Sequence, residues 1–401
     1  MRQVILVLNA GSSSLKFALY PATETPSQSL AGGKFDTSGP KLTFSAKDHD
    51  GNPLPPGELL SMHAPFALTD LIPELLDWIS ETFPNMQVSC VGHRVVHGGR
   101  TYSAPVRVDD TVLSDLDQLV SLAPLHEPHN IAAIRAIANW APDLPQIACF
   151  DTSFHRTQPR LAKLFALPRH FADEGVIRYG FHGLSYDYIA SVLPAHLGER
   201  ADGRVVVAHL GNGASMCAMK DRKSVASSMG FSALDGLMMG SRCGRLDAGV
   251  VLYLLRNRGM SADTVETLHY EASGLRGVSG ISHDMSILEQ STDPNAREAI
   301  DLFCYRAAGE LCQLASALQG LDAVVFTAGI GENSANTRRQ ICEQLAWLGV
   351  SLDDAANQAN SPVISDAASK VDVLVIPTDE EQVIARAVAR MVCSSASGDA
   401  G

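Results

Sequence analysis

The sequence predicts an α/β protein of two domains, and three observations carry that expectation. The chain has 401 residues, more than one ordinary core accommodates and about right for two. Short apolar runs alternate with longer stretches of helical spacing, the pattern of strands covered by helices. A polar-tipped hairpin pattern also occurs twice. Residues 4–8 (VILVL), a turn of Asn, Gly and Ser, and residues 15–20 (LKFALY) open the chain, with Lys16 beyond the turn. Residues 205–210 (VVVAHL), the turn 211–215 (GNGAS) and a further run ending at Lys220 repeat the scheme about half a chain later.

The elements follow in order. Residues 21–64 are rich in Pro, Ser, Gly and charge and predict an irregular or β-rich peripheral segment. From Leu68 to Phe83 the spacing of Leu71, Leu75 and Ile79 is helical. Cys90-Val91 leads into 92–99 (GHRVVHGG), a strand opening into a loop rich in glycine and cations. Residues 147–150 (IACF) form a buried strand ending on Asp151. Residues 323–326 (AVVF) form another, followed by the glycine turn 329–334 (GIGENS). Residues 373–376 (VLVI) precede Asp379-Glu380-Glu381, and Val383, Ile384, Ala387, Val388 and Met391 mark a closing helix. The expected domains are 1–150 plus 383–401 and 151–382. A cleft between such halves is the usual place for a ligand.

Composition narrows the function. Apolar residues make up 46% of the chain and mean hydropathy is +0.05, so large cores are available. The 31 basic and 44 acidic residues give a formal charge of −13, which excludes a nucleic-acid or anionic-membrane binder that needs a basic face. The eight cysteines contain no C-x-x-C pair and read as reduced, buried thiols. No stretch approaches the roughly 20 apolar residues of a membrane span, and the first apolar run is too short for a signal segment. A cytoplasmic protein without membrane partners is expected.

In such an acidic chain, anion chemistry must rest on a few placed groups. The turns 9–14, 211–215 and 329–334 each follow an apolar strand. Their glycines allow close backbone approach and their N–H groups can cradle phosphate, although neither G-x-x-x-x-G-K-[ST] nor G-x-G-x-x-G is present. Polyphosphate in turn implies Mg²⁺, with Asn9 and either Asp379 or Glu380 as oxygen donors. The acidic run 379–381 reads equally as a helix's first turn. Arg94 and Arg242 sit in glycine-flanked loops, where an arginine fork suits carboxylate or phosphate. His182 lies beside Gly183 and could donate to the same group. Asp151 reads as a functional or paired carboxylate, or as a helix cap. The pairs His93/His97 and His126/His129 lack cysteine partners, and zinc is not expected.

Taken together, 9–17 (NAGSSSLKF), 92–99 (GHRVVHGG), 123–126 (APLH), 150–155 (FDTSFH), 178–183 (RYGFHG), 209–215 (HLGNGAS), 237–244 (LMMGSRCG) and 327–334 (TAGIGENS) resemble the acetate kinase family of the acetate and sugar kinase/actin superfamily, in order and over nearly the whole chain. The resemblance implies a duplicated actin-like (ribonuclease H-like) α/β fold with an interdomain cleft, and a homodimer. It implies Mg²⁺-dependent transfer, with Mn²⁺ as an alternative ion, between ATP and acetate to give acetyl phosphate and ADP. It places Asn9 and Glu380 on the metal, and Lys16, His209, Leu210, Gly211, Asn212, Gly213, Asp284, Met285, Ser286, Gly329, Ile330, Gly331, Glu332 and Asn333 on the nucleotide. Arg94 matches the carboxylate-binding position, while Val96, Leu125 and Phe181 match the pocket around the acetate methyl. Asp151, His182 and Arg242 match the catalytic positions.

Three departures bear on that expectation. Ser286 stands where the family usually carries Arg, and Ala233 stands where it carries Pro beside the acyl pocket. Leu184 and Tyr186 replace the usual Thr and His. Extra room at Ala233 admits a three-carbon acid, since one methylene is worth only ~1–3 kcal/mol of discrimination. The alternatives are therefore a propionate or butyrate kinase, or a noncatalytic nucleotide-controlled module. A carboxylate acceptor is already ionised at neutral pH, so Asp151 is expected to orient a partner rather than remove a proton.

Overall fold

The computed structural model describes residues 1–11, 14–37, 42–57 and 70–396, with 393–396 as backbone alone. Ser12 and Ser13 of the first turn, the start of the helical pattern at Leu68 and the Cys393 side chain lie outside what is described. The chain divides into two units, Met1–Ser153 with Asp379–Gly401, and Phe154–Thr378. These limits differ from the expected ones by a few residues at each crossing. Asp151 stays with the first unit because its N–H bonds to Val95 O (3.0 Å). The run 379–382 joins the same unit because Tyr20 Oη donates to Asp379 Oδ1 (3.0 Å).

In the first unit, strands β1 (Arg2–Ala10), β2 (Ser14–Pro21), β3 (Ala31–Asp36), β4 (Thr43–Asp48), β5 (Pro53–Leu54), β6 (Met86–Val95), β7 (Val106–Arg107) and β8 (Gln146–Phe150) form one sheet of order β5-β4-β3-β2-β1-β6-β8-β7. The expected peripheral segment is thus its β-rich edge. Helices α1 (Leu71–Thr82) and α3 (Glu127–Trp140) cover one face, where Leu71, Leu75, Ile79 and Ile137 meet Val4, Leu6 and Leu8; α2 (Asp110–Leu119) packs on α3. The helix Glu380–Ala396 lies against β1 and β6. It comes so close that a Cβ on Gly92 would sit 2.4 Å from Ile384 Cγ2, and only glycine fits there.

In the second unit, β9 (Val205–Leu210), β10 (Ala214–Lys220), β11 (Lys223–Ser227), β12 (Ala323–Thr327) and β13 (Asp372–Val375) form a sheet of order β11-β10-β9-β12-β13. β9 to β11 are antiparallel neighbours, and β9, β12 and β13 are parallel. The run β3-β2-β1-β6-β8 of the first sheet has the same order and the same senses. The repeated hairpin is therefore one visible part of a duplicated actin-like sheet. Burial of both faces explains why β9 and β12 read as unbroken apolar runs. One correction concerns 329–334. Expected as a turn, its residues 329–333 belong to the short helix Ala328–Asn333, which starts directly after β12, and Ser334 follows as its C-cap. Ala328 reverses the chain at φ +66°, and its N–H is taken by Glu332 Oε1 (2.8 Å).

Candidate active site

In the first unit the parallel strands β1, β6 and β8 end side by side, and their carboxyl ends bear Asn9, Arg94 and Asp151. Such ends are the usual ligand edge of an α/β sheet. Arg94 Nη2 donates to Asp151 Oδ2 (2.6 Å), Nε to the same oxygen (3.1 Å), and Nη1 to Asn9 Oδ1 (3.2 Å). Glu380 Oε2 lies 3.8 Å from Arg94 Nε. Burial opposes the charge on Arg94, but Asp151 and Glu380 outweigh it and hold its pKa above the ordinary value. Of the two readings of Asp151, the paired carboxylate is the one these distances support. Asp379, in contrast, caps the last helix by accepting from Gln382 N (2.8 Å). Lys16 is exposed on β2, paired in register with Asn9.

Val96 is buried just beyond β6, and Leu125 is half-buried before α3. Asn130 fixes this region, accepting from Val96 N (3.0 Å) and donating to Ala10 O (2.7 Å). Glu127 is fully buried and accepts from His97 N (3.1 Å) through Oε2, while its Oε1 has no hydrogen-bond partner among the described residues. Burial, reinforced by Asp151, pushes its pKa up to about 8 against the opposing His97 N–H. No motif announces Asn130 or Glu127, which only the fold brings to this edge. His93 bonds Gln146 (2.7 Å) and His97 Nδ1 accepts from Gly99 N (2.9 Å).

The second unit holds a different cluster. His182 precedes the helix Gly183–Leu197 with left-handed backbone (φ +56°, ψ +26°). That conformation is strained for a nonglycine residue, and such strain gathers at functional positions. A Cβ on Gly213 would lie 3.3 Å from His182 Nε2 and 3.6 Å from Arg242 Nη2, so both donors converge over the 211–215 turn. Arg242 Nη1 donates to Ala233 O (2.8 Å). The His182 ring stacks on His209 (4.2 Å between centroids, 16°), and Ser215 Oγ lies 2.8 Å from His182 Nδ1. Phe181 is buried, its carbonyl bonded by His155 Nε2 (2.9 Å).

Beside this turn opens a cavity of ≈ 420 Å³, lined among others by Gly211, Asn212, Asp284, Met285, Ser286, Gly329, Ile330 and Asn333. Three segments distant in sequence thus line one cavity. Glu289 also lines it and was not foreseen; it accepts from Ser334 Oγ (2.6 Å). Leu210 is buried in β9, and Gly331 packs beneath Phe326. Glu332 turns its carboxylate to the N–H groups of Ala328 and Thr378 (2.8 and 3.2 Å) rather than to the cavity. A Cβ on Gly240 would meet Asn212 Oδ1 at 2.1 Å, so a larger residue there would have to turn the Asn212 side chain; this close approach joins the Arg242 loop to the cavity wall.

Among the described residues no group of three or more His, Cys, Asp or Glu gathers as a metal cage. The oxygen-only donors around Arg94, with Asn9, Asp151 and Glu380, suit a hard divalent ion that keeps several waters.

Duplicated actin-like sheets, a glycine-lined cavity beside the turn over which His182 and Arg242 converge, and an arginine–carboxylate cluster suit a phosphotransferase with a carboxyl group as acceptor. The model of the Acetokinase family matches residues 4–386, and the chain belongs to that family. It is 54% identical to an acetate kinase of Rhodopseudomonas palustris over 98% of this chain and 99% of the relative. A propionate kinase structure from Francisella tularensis superposes with TM-score 0.88 at 35% identity, covering 96% of this chain and 98% of that one. An acetate kinase structure from Porphyromonas gingivalis gives 0.85 at 33% identity, covering 97% and 100%.

Proposed function

We propose that this chain catalyses reversible, Mg²⁺-dependent phosphoryl transfer between ATP and acetate, giving acetyl phosphate and ADP by direct in-line transfer. The observation that carries the reading is the convergence of His182 Nε2 and Arg242 Nη2 over Gly213, next to the cavity that Gly211 and Asn212 line. Two donors aimed at one point beside a glycine-walled pocket suit a transferring phosphoryl group, whose negative charge spreads over its oxygens.

The acceptor needs no general base, because a carboxylic acid is ionised at neutral pH. Arg94 takes the acetate carboxylate, and Asp151 holds the guanidinium in place. Val96, Leu125 and Phe181 supply apolar surface for the methyl group. Asn9 and Glu380 would hold Mg²⁺, or Mn²⁺, whose role is to offset phosphate charge. Asp284, Met285 and Ser286, with Gly329 and Ile330, line the cavity that takes the nucleotide. The enzyme acts as a cytoplasmic homodimer. The helix Ala248–Arg256 supports pairing, since it buries no residue although Leu252 and Tyr253 are apolar and about half exposed.

Propionate is the second reading, favoured by Ala233, whose carbonyl anchors Arg242 and whose side chain leaves more room than Pro. Trapping acyl phosphate as hydroxamate with Mg-ATP and acetate, propionate or butyrate tests both. The expected result is product with acetate at the highest kcat/KM. A higher kcat/KM for propionate transfers the assignment, and no product with any of the three acids leaves a nucleotide-controlled binding module.

A further inference from the structure

We propose that Tyr186 is a positioning residue which, through Ser215, holds His182 in the tautomer that donates from Nε2; this rests on the role given to His182 under Proposed function. Tyr186 lies one turn into the helix Gly183–Leu197, its N–H bonded to His182 O (3.1 Å). Its phenol oxygen is 2.5 Å from Ser215 Oγ, which is 2.8 Å from His182 Nδ1. Tyr186 and Ser215 are both wholly buried (0% exposed), so their hydroxyl protons must be placed within the protein.

The chemistry sets the direction of the chain. A phenol is the more acidic hydroxyl and the better donor, and an aliphatic hydroxyl is the better acceptor. Tyr186 therefore donates to Ser215 Oγ, which leaves the single Ser215 proton for the basic nitrogen His182 Nδ1. An imidazole that accepts at Nδ1 carries its N–H on Nε2. Nε2 is the atom that reaches Gly213 beside Arg242 Nη2. The stacked His209 is held separately, its Nδ1 lying 2.8 Å from Ser185 Oγ, so the two rings are steered by different hydroxyls. A donor locked in direction before the phosphoryl group arrives needs no reorganisation during the reaction.

The test uses the full chain with ¹⁵N-labelled histidine. Two-bond ¹⁵N–¹H spectra of the wild type, Tyr186→Phe and Ser215→Ala are compared, with His182→Ala to assign the His182 signals. The wild type should show Nε2–H, with Nδ1 shifted by an accepted hydrogen bond. Tyr186→Phe should move Nδ1 toward an unbonded or tautomer-averaged position and lower kcat about tenfold, the scale of one lost positioning hydrogen bond, with KM for acetate and ATP within about twofold. Ser215→Ala should do the same, and the double variant should be no worse than the more affected single one. Thermal unfolding checks that each variant folds, and Ser215→Ala alone still tests the relay if Tyr186→Phe does not. A proton on Nδ1 in the wild type overturns the proposal, as do folded variants with unchanged Nδ1 shift and kcat. If His182→Ala transfers phosphoryl groups normally, the role of His182 falls and the relay with it. If His182→Ala is inactive while Tyr186→Phe matches wild type in shift and kcat, the relay alone falls.

Discussion

Arg94 and Asp151 form a two-donor ion pair at the carboxyl edge of the first sheet, with Nη2 and Nε at 2.6 and 3.1 Å from the same Asp151 oxygen. Asp151 is 1% exposed and the Arg94 side chain 21%, so each is the other's principal compensation for lost water. This makes Asp151 a fixed support for the guanidinium. Asp151→Ala strands a buried cation, which typically destabilises by about 3–5 kcal/mol. We expect that loss in urea unfolding, together with a strong fall in kcat. Arg94→Ala/Asp151→Ala should recover part of the stability and none of the activity. Fully additive stability losses would show that the pair is not coupled.

Glu127 makes stability depend on pH. Its carboxyl moves from an ordinary 4.5 to about 8 in the folded chain, so the folded state binds this proton more tightly than the unfolded state does. Its contribution is complete below about 4.5 and is lost as pH rises through about 8. The buried imidazoles of His93, His97 and His155, lowered to about 4, act oppositely, losing stability as pH falls from 6.5 toward 4. Between pH 6.5 and 8.5 the wild type should therefore weaken relative to Glu127→Gln. Denaturant midpoints of the two proteins measure this, and parallel curves would refute it.

Gly213 has room for a methyl group only at the expense of His182, whose Nε2 would lie 3.3 Å from the added Cβ. Gly213→Ala should displace His182 Nε2 by a few tenths of an ångström and lower kcat about tenfold or more through misplacement. Because Gly213 does not carry a positive φ, the thermal midpoint should barely move. A large drop in midpoint with normal kcat per folded molecule would contradict this placement.

The apolar helix Ala248–Arg256 gives a separate test of pairing. Leu252→Asp should convert a dimer to a monomer in light scattering while leaving the unit folded, because Leu252 is 48% exposed. A wild type that is monomeric at assay concentration would remove the homodimer.

Much of this was legible in the sequence because the chemistry sits at strand ends marked by glycines. Asn9, Arg94 and Asp151 could be placed on adjacent edges once their apolar strands were recognised, and the repeated hairpin announced the duplicated sheet. The helix Ala328–Asn333 was hidden because its glycines argue for a turn, while the Glu332 carboxylate that takes Ala328 N also takes Thr378 N, 46 residues on. Glu127 and Asn130 were invisible for a related reason. They lie on α3, far from Val96 and Ala10 in sequence, and only packing makes their polar atoms converge. Of the cysteines expected as buried thiols, Cys90, Cys149, Cys217, Cys304 and Cys342 are buried while Cys243 and Cys312 are only half-buried, and burial lifts Cys217, Cys304 and Cys342 to about 12.

The division of labour between Arg94 and Arg242 tests the account most directly. Steady-state hydroxamate assays with Mg-ATP and varied acetate should show Arg242→Ala losing kcat on the order of 10²–10³-fold with KM for acetate within a few-fold, as for removal of a donor to transition-state charge. Arg94→Ala should raise KM for acetate strongly. Equal losses of kcat and acetate affinity in Arg242→Ala, or an unchanged acetate KM in Arg94→Ala, would contradict the roles assigned to both arginines.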